Sequence, residues 1–165
     1  FVISLAMEEY LLEAREELKR LEHIIYVSLK YTRTVDVIIN ALNRLVSTFD
    51  LIWEVFLEKA KEEGRIDNLP KSPGLRATRV RELYSEDLEL GKYLSFYTFL
   101  KLILNSPHKR RQEYRRHVTY IVEQENSTVE IKIDNLMNCE KYIHRFYHHA
   151  WISIMGKPEH EEDEF

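Results

Sequence analysis

From Glu8 to Glu63 the chain contains neither glycine nor proline, while apolar residues recur at steps of three and four. No other feature narrows the fold so far, because strands alternate at two and loops need breakers, so a run of this length and period is helical. Leu11, Ala14, Leu18, Leu21 and Ile25 mark one face of a first helix, and Glu, Lys and Arg fill the other. From Thr34 to Glu63 the stripe widens to include Val35, Ile38, Leu42, Leu45, Phe49, Ile52, Trp53 and Phe56. A stripe that wide must be covered on more than one side, which predicts the central core helix. The break between the two falls at Tyr31-Thr32-Arg33-Thr34, where a threonine can cap the second helix; one bent helix is the alternative.

Gly64 stops this pattern, and Arg65 to Gly74, with Pro70 and Pro73, reads as a connection. Leu75 to Tyr84 predicts a short helix. Ser85 is the expected N-cap of a longer one carrying Leu90, Tyr93, Leu94, Tyr97, Leu100 and Leu104, which Asn105-Ser106-Pro107 ends. From His117 to Ile133 the period becomes two, with Val118, Tyr120 and Val122, then a polar turn, then Val129, Ile131 and Ile133, which predicts a β-hairpin. Asp134 is the expected cap of a last helix through Leu136, Cys139, Ile143, Phe146 and Ile154, closed by Gly156 and Pro158. The expected fold is mostly α, a helical bundle of four or five helices with a small β-hairpin before the last helix. Residues 7–158 form its single domain, 1–6 read as an extension or remnant outside it, and 159–165 as an acidic tail.

Composition limits the function classes. With 44% hydrophobic residues, a 165-residue chain can bury a full core, which excludes disorder and a disulfide-stapled miniprotein. The four glycines are scattered, so neither a Walker loop nor a G-x-G-x-x-G turn is present to cradle a nucleotide. A single cysteine, Cys139, can form neither an internal disulfide nor a thiolate metal site, and no local group activates it as a nucleophile. No apolar stretch approaches the roughly 20 residues of a membrane span, and no secretory signal is evident, so a cytoplasmic protein is expected.

Charge is segregated. Residues 1–64 carry 8 basic against 12 acidic side chains, 65–117 carry 12 against 6, and 118–165 carry 4 against 10. A basic middle third either neutralises its acidic neighbours across the fold or meets a polyanion. Its densest stretch is His108 to His117, holding Lys109, Arg110, Arg111, Arg115, Arg116 and His117. Guanidinium forks suit phosphate, and Tyr114 among them can stack on an unpaired base. These six residues are the candidate nucleic-acid-binding set, with RNA or an acidic protein surface as partner. Arg76, Arg79 and Arg81 would extend the patch if their helix packs beside it.

Within this run five residues separate Arg111 from His117, and six separate Arg110 from it. That spacing resembles the R-x(4–6)-H signature of HEPN domains, small helical bundles that include metal-independent endoribonucleases acting as dimers. The resemblance implies that Arg111 would hold the scissile phosphate and His117 would handle protons. More broadly, Leu21-Glu22-His23-Ile24-Ile25-Tyr26-Val27-Ser28-Leu29-Lys30-Tyr31-Thr32-Arg33-Thr34-Val35-Asp36-Val37-Ile38 and Glu113-Tyr114-Arg115-Arg116-His117-Val118 resemble a group of small archaeal helical proteins, and that likeness implies no activity.

His144, His148 and His149 cluster on the last helix, the first two one turn apart as in a two-histidine metal site, but no H-E-x-x-H supplies a catalytic frame. Surface histidines are the expected reading, with no metal and no cofactor. Arg33 and Asp36 are expected to form an ion pair at the helix junction. The leading functional reading is a non-enzymatic helical interaction module that self-associates; the alternatives are a HEPN-like ribonuclease and a structural subunit of a larger assembly.

Overall fold

The computed structural model describes residues 3–156. A first helical arm runs through α1 (Leu5–His23), a π-helical turn (Ile24–Ser28) and a closing turn, α2 (Leu29–Tyr31). There follow α3 (Val35–Glu62), α4 (Pro73–Leu83), α5 (Leu88–Leu104), β1 (Lys109–Arg111), β2 (Thr119–Glu123), β3 (Thr128–Ile131) and α6 (Ile133–Met155). The mostly helical bundle expected from the sequence is the observed architecture, and among the described residues no helix is long and apolar enough to cross a membrane. The acidic tail lies outside the described residues.

The wide stripe of α3 does what its width demands. Phe49, Ile52, Trp53, Phe56 and Leu57 are at most 1% exposed, and α1, α4, α5 and α6 all pack against this helix. Phe146 of α6 stands at the centre, with ring centroids 5.1 Å from Phe49, 4.9 Å from Trp53 and 4.5 Å from Tyr93. Truncating such a ring costs about 3–5 kcal/mol. The two long helices do break at the expected place: Thr34 Oγ1 accepts the Val37 N–H at 3.3 Å and caps α3. At the other end Gly64, at φ 73°, takes the left-handed conformation, with Gly64 N–H bonded to Lys61 C=O and Arg65 N–H to Ala60 C=O. This double closure ends α3.

Several boundaries differ from the expectation. Ser4 Oγ caps α1 through the Met7 N–H at 3.1 Å, and Ile3 packs beside buried Met7, so the described part of residues 1–6 belongs to the fold. Helix α4 begins at Pro73, whose missing N–H costs nothing at the first position, behind Ser72 as cap. The cap of α5 is Asp87, not Ser85: its carboxylate accepts the Leu90 N–H at 3.0 Å after a turn closed by Asp87 N–H on Tyr84 C=O. Asp134 lies inside α6, and Lys132 occupies the cap position.

The hairpin gains a third strand. β1 pairs antiparallel with β2, and β2 with β3, in the order β1-β2-β3. An all-cationic strand carries no apolar alternation to reveal it, and charge on an edge strand is a common guard against stray pairing. His117, expected to start a strand, instead sits in the β1–β2 connection, two residues before β2.

Candidate nucleic-acid interface

Strand geometry sorts the first three cations of the basic run. Successive strand residues point to opposite faces, so Lys109 and Arg111 share one face and Arg110 takes the other. Arg110 lies opposite Tyr120, which is buried against the helices, and it reaches Asp36 at the start of α3 at 2.8 Å and Glu113 at 3.4 Å. On the outer face Lys109 meets Glu123 of β2 at 2.9 Å, and Arg111 pairs with Glu130 of β3. All three are therefore engaged by carboxylates of their own chain. The hydrogen bond from Arg110, and then its charge, hold the Asp36 carboxyl below the usual carboxylate range.

The second half of the run behaves differently. After β1 the backbone turns through two left-handed residues that are not glycine, Gln112 at φ 56° and Tyr114 at φ 66°. Such conformations persist only when their surroundings impose them. Here the constraint is the α2–α3 junction: Tyr114 N–H donates to Arg33 C=O at 2.7 Å, and the Glu113 carboxylate accepts the Val35 N–H at 3.2 Å. Pinned this way, the loop projects Arg115, Arg116 and His117 outward. All three are exposed, and among the described residues neither arginine has a carboxylate partner.

Arg116 and His117 line a cleft of about 240 Å³ between the end of the first helical arm and the start of α6. Lys30, Arg33 and Lys132 complete its cationic rim, Ile25, Leu29 and Met137 form its apolar side, and Asp134 is the single acidic residue among the described residues that line it. The π-helical turn shapes that wall. Leu29 N–H reaches back to Ile24 C=O, and the extra residue in the turn keeps Ile24 and Ile25 in the core while leaving Tyr26 and Val27 outside. Arg33, which lines the cleft, has its Nε buried without a hydrogen-bond partner among the described residues. A buried N–H with no acceptor is costly.

The first turn of α6 adds to this field. Ile133 and Asp134 line the cleft, and Lys132 at the cap position has no side-chain acceptor to cover the first-turn N–H groups. Asn135 Oδ1 accepts the Lys132 N–H at 2.8 Å, and a helix start beside cations is favourable for phosphate. Two rings stand close by in sequence and exposed, Tyr31 at 85% and Tyr114 at 77%. A larger groove of about 790 Å³ lies between α1 and α3, but Glu13, Glu16, Glu17 and Asp50 line it, and that charge repels a polyanion.

Of the six residues expected to bind nucleic acid, the structure places Arg116 and His117 in the cleft, leaves Arg115 exposed beside it, and commits Lys109, Arg110 and Arg111 to carboxylates. The HEPN-like pair is divided: Arg111 is held by Glu130 and is not among the cleft-lining residues, while His117 is. Arg33 does not pair with Asp36, because Arg110 takes that carboxylate. Arg76 and Arg79 do not extend the patch, since α4 packs on α3 and α5, and they pair with Glu54 and Glu82. Burial pushes the Cys139 thiol up to about 11, which disfavours the thiolate that nucleophilic chemistry needs. Sequence reasoning missed Lys30, Lys132 and the role of Arg33; Lys30 and Arg33 stand more than 80 residues before Arg116 along the chain, and Lys132 stands 16 after it. The available signal was that cations flank both expected helix starts.

No protein-family model, curated protein or solved structure matches the chain.

Proposed function

We propose that the protein is a non-enzymatic module that binds single-stranded RNA, seating backbone phosphate in the cleft formed by Lys30, Arg33, Arg116, His117 and Lys132. The observation that carries this reading is a cleft lined, among the described residues, by four Lys or Arg side chains against one carboxylate, with the Nε of one of them, Arg33, buried and unpartnered among those residues. Tyr31 and Tyr114 offer faces on which unpaired bases stack, a contribution of about 1–3 kcal/mol per base. The cleft is too small to take a duplex, whereas an unpaired strand can lay one phosphate in it and splay its bases to either side. The ribonuclease alternative draws less support, since its arginine is engaged elsewhere.

Fluorescence anisotropy with a labelled oligouridylate tests the reading over a series of salt concentrations. Affinity should fall with a log–log slope of about −0.7 for each phosphate neutralised, and Arg33→Met should weaken it at every salt concentration. Binding that ignores both salt and Arg33 would refute the proposal.

A further inference from the structure

Between α1 and α6, two carboxylates from different helices converge on one imidazole nitrogen. Glu22 of α1 approaches His144 Nε2 of α6 at 2.6 Å, and Glu140, one turn earlier on α6, approaches the same atom at 3.0 Å. One ligand atom from each residue lies within 4.8 Å of the other two. We propose that Glu22, Glu140 and His144 form a divalent transition-metal site of the zinc class, open to solvent at its remaining positions.

The geometry is distinguished by its neighbour. His149, five residues further along α6, is also flanked by two carboxylates, but Asp87 takes Nε2 and Glu89 takes Nδ1, both at 3.3 Å. Opposite ring nitrogens cannot share one cation with both acids, so that arrangement is an ordinary double ion pair. At His144 both acids crowd a single nitrogen, which has one proton to offer them, whereas one metal ion can satisfy all three groups together.

Charge points the same way. Glu140 is 8% exposed, and neither it nor Glu22 has a Lys or Arg ion pair among the described residues. The one further side-chain partner of Glu140 among the described residues is the Tyr26 hydroxyl, which donates a hydrogen bond to it and brings no charge. Zinc ligands at about 2.0–2.2 Å from the ion sit roughly 3.3–3.6 Å apart at tetrahedral angles, so both carboxylates must draw back from Nε2 by a few tenths of an ångström to about 1 Å. One imidazole with two carboxylates suits zinc, iron, cobalt or manganese, and lacks the thiolates that softer ions prefer. Three protein ligands leave a position for water. Glu22 and His144 have side chains 40% and 44% exposed, so the ion has a path in.

This inference does not rest on the RNA reading, and its test uses zinc alone. Isothermal titration of zinc chloride into the tag-free full chain at pH 7.5 should show one equivalent bound, at least tenfold more weakly in both His144→Ala and Glu140→Gln. His149→Ala should bind as the parent does. His160 and the tail carboxylates are present in every variant, so any contribution from them cancels. Because His144 is half exposed on a helix, its alanine variant is expected to fold, and circular dichroism would verify this. No binding by the parent chain, or equal binding by the parent and His144→Ala, would overturn the site.

Discussion

Lys109, Arg110 and Arg111 and, a few residues later, Arg115, Arg116 and His117 belong to one basic run, yet the fold uses its two halves in opposite ways. The first half is a strand, and strand geometry delivers each cation to an acid, with Glu123 and Glu130 on one face and Asp36 on the other. The second half is a left-handed loop held away from those acids by Glu113 and Tyr114, and it turns its cations toward a cleft. Cation density in a sequence is therefore a poor guide to a binding surface. What decides is whether the local backbone brings each cation to a carboxylate of its own chain.

The largest effect should come from emptying the cleft of charge. The triple variant Arg33→Ala, Arg116→Ala and Lys132→Ala should weaken oligouridylate binding by roughly a hundredfold or more, since each charge-assisted hydrogen bond contributes about 1.5–3 kcal/mol. Lys109→Ala with Arg111→Ala should change it by no more than about threefold, because exposed ion pairs contribute little and free few phosphate contacts. Equal losses in an anisotropy titration would erase the distinction between the halves.

Next in size is the device that separates them. Glu113→Ala removes the acceptor of the Val35 N–H at the start of α3, and loss of a helix cap costs about 1 kcal/mol. Urea denaturation should show that loss, and an unchanged midpoint would mean that the loop is held by other contacts. Relief of strain is smaller. Gln112→Gly exchanges a left-handed penalty of about 1–2 kcal/mol for the entropy of a glycine, about 0.5–1 kcal/mol, so a modest gain in stability is expected. A loss on urea denaturation would show that the Gln112 side chain holds the turn.

The smallest effect is electrostatic. Arg110 holds Asp36 below its ordinary value of 3.8, so the folded state favours the ionised carboxylate. The stabilisation is fully present above that ordinary value and is lost as pH falls through the lower folded pKa. Asp36→Asn should remove this acid-dependent component from the denaturation midpoint while leaving the neutral-pH anisotropy titration unchanged. An identical acid profile in the two proteins would show that the pair contributes nothing.

The bundle was legible because its signal is local. The unbroken run from Glu8 to Glu63, the wide stripe of α3, the period change before β2 and the Gly64 stop each depend on residues within a few turns. Caps were legible only in kind: Thr34 serves as expected, but Ser85 lost to Asp87, where a carboxylate stood two residues further on. β1 was hidden because Lys109–Arg111 offers no apolar alternation. The cleft was hidden for another reason. Lys30, Arg33, Arg116 and Lys132 come together only when the β1–β2 loop docks on the α2–α3 junction, and every bond of that docking has a backbone partner, the Arg33 C=O or the Val35 N–H, which side-chain patterns do not encode.

Amide chemical-shift mapping during titration with a short oligouridylate tests the division most directly. The shifts should concentrate at Lys30, Arg33, Arg116, His117 and the first turn of α6, with Lys109–Arg111 nearly still. Shifts centred on Lys109–Arg111, with the start of α6 unmoved, would contradict the account.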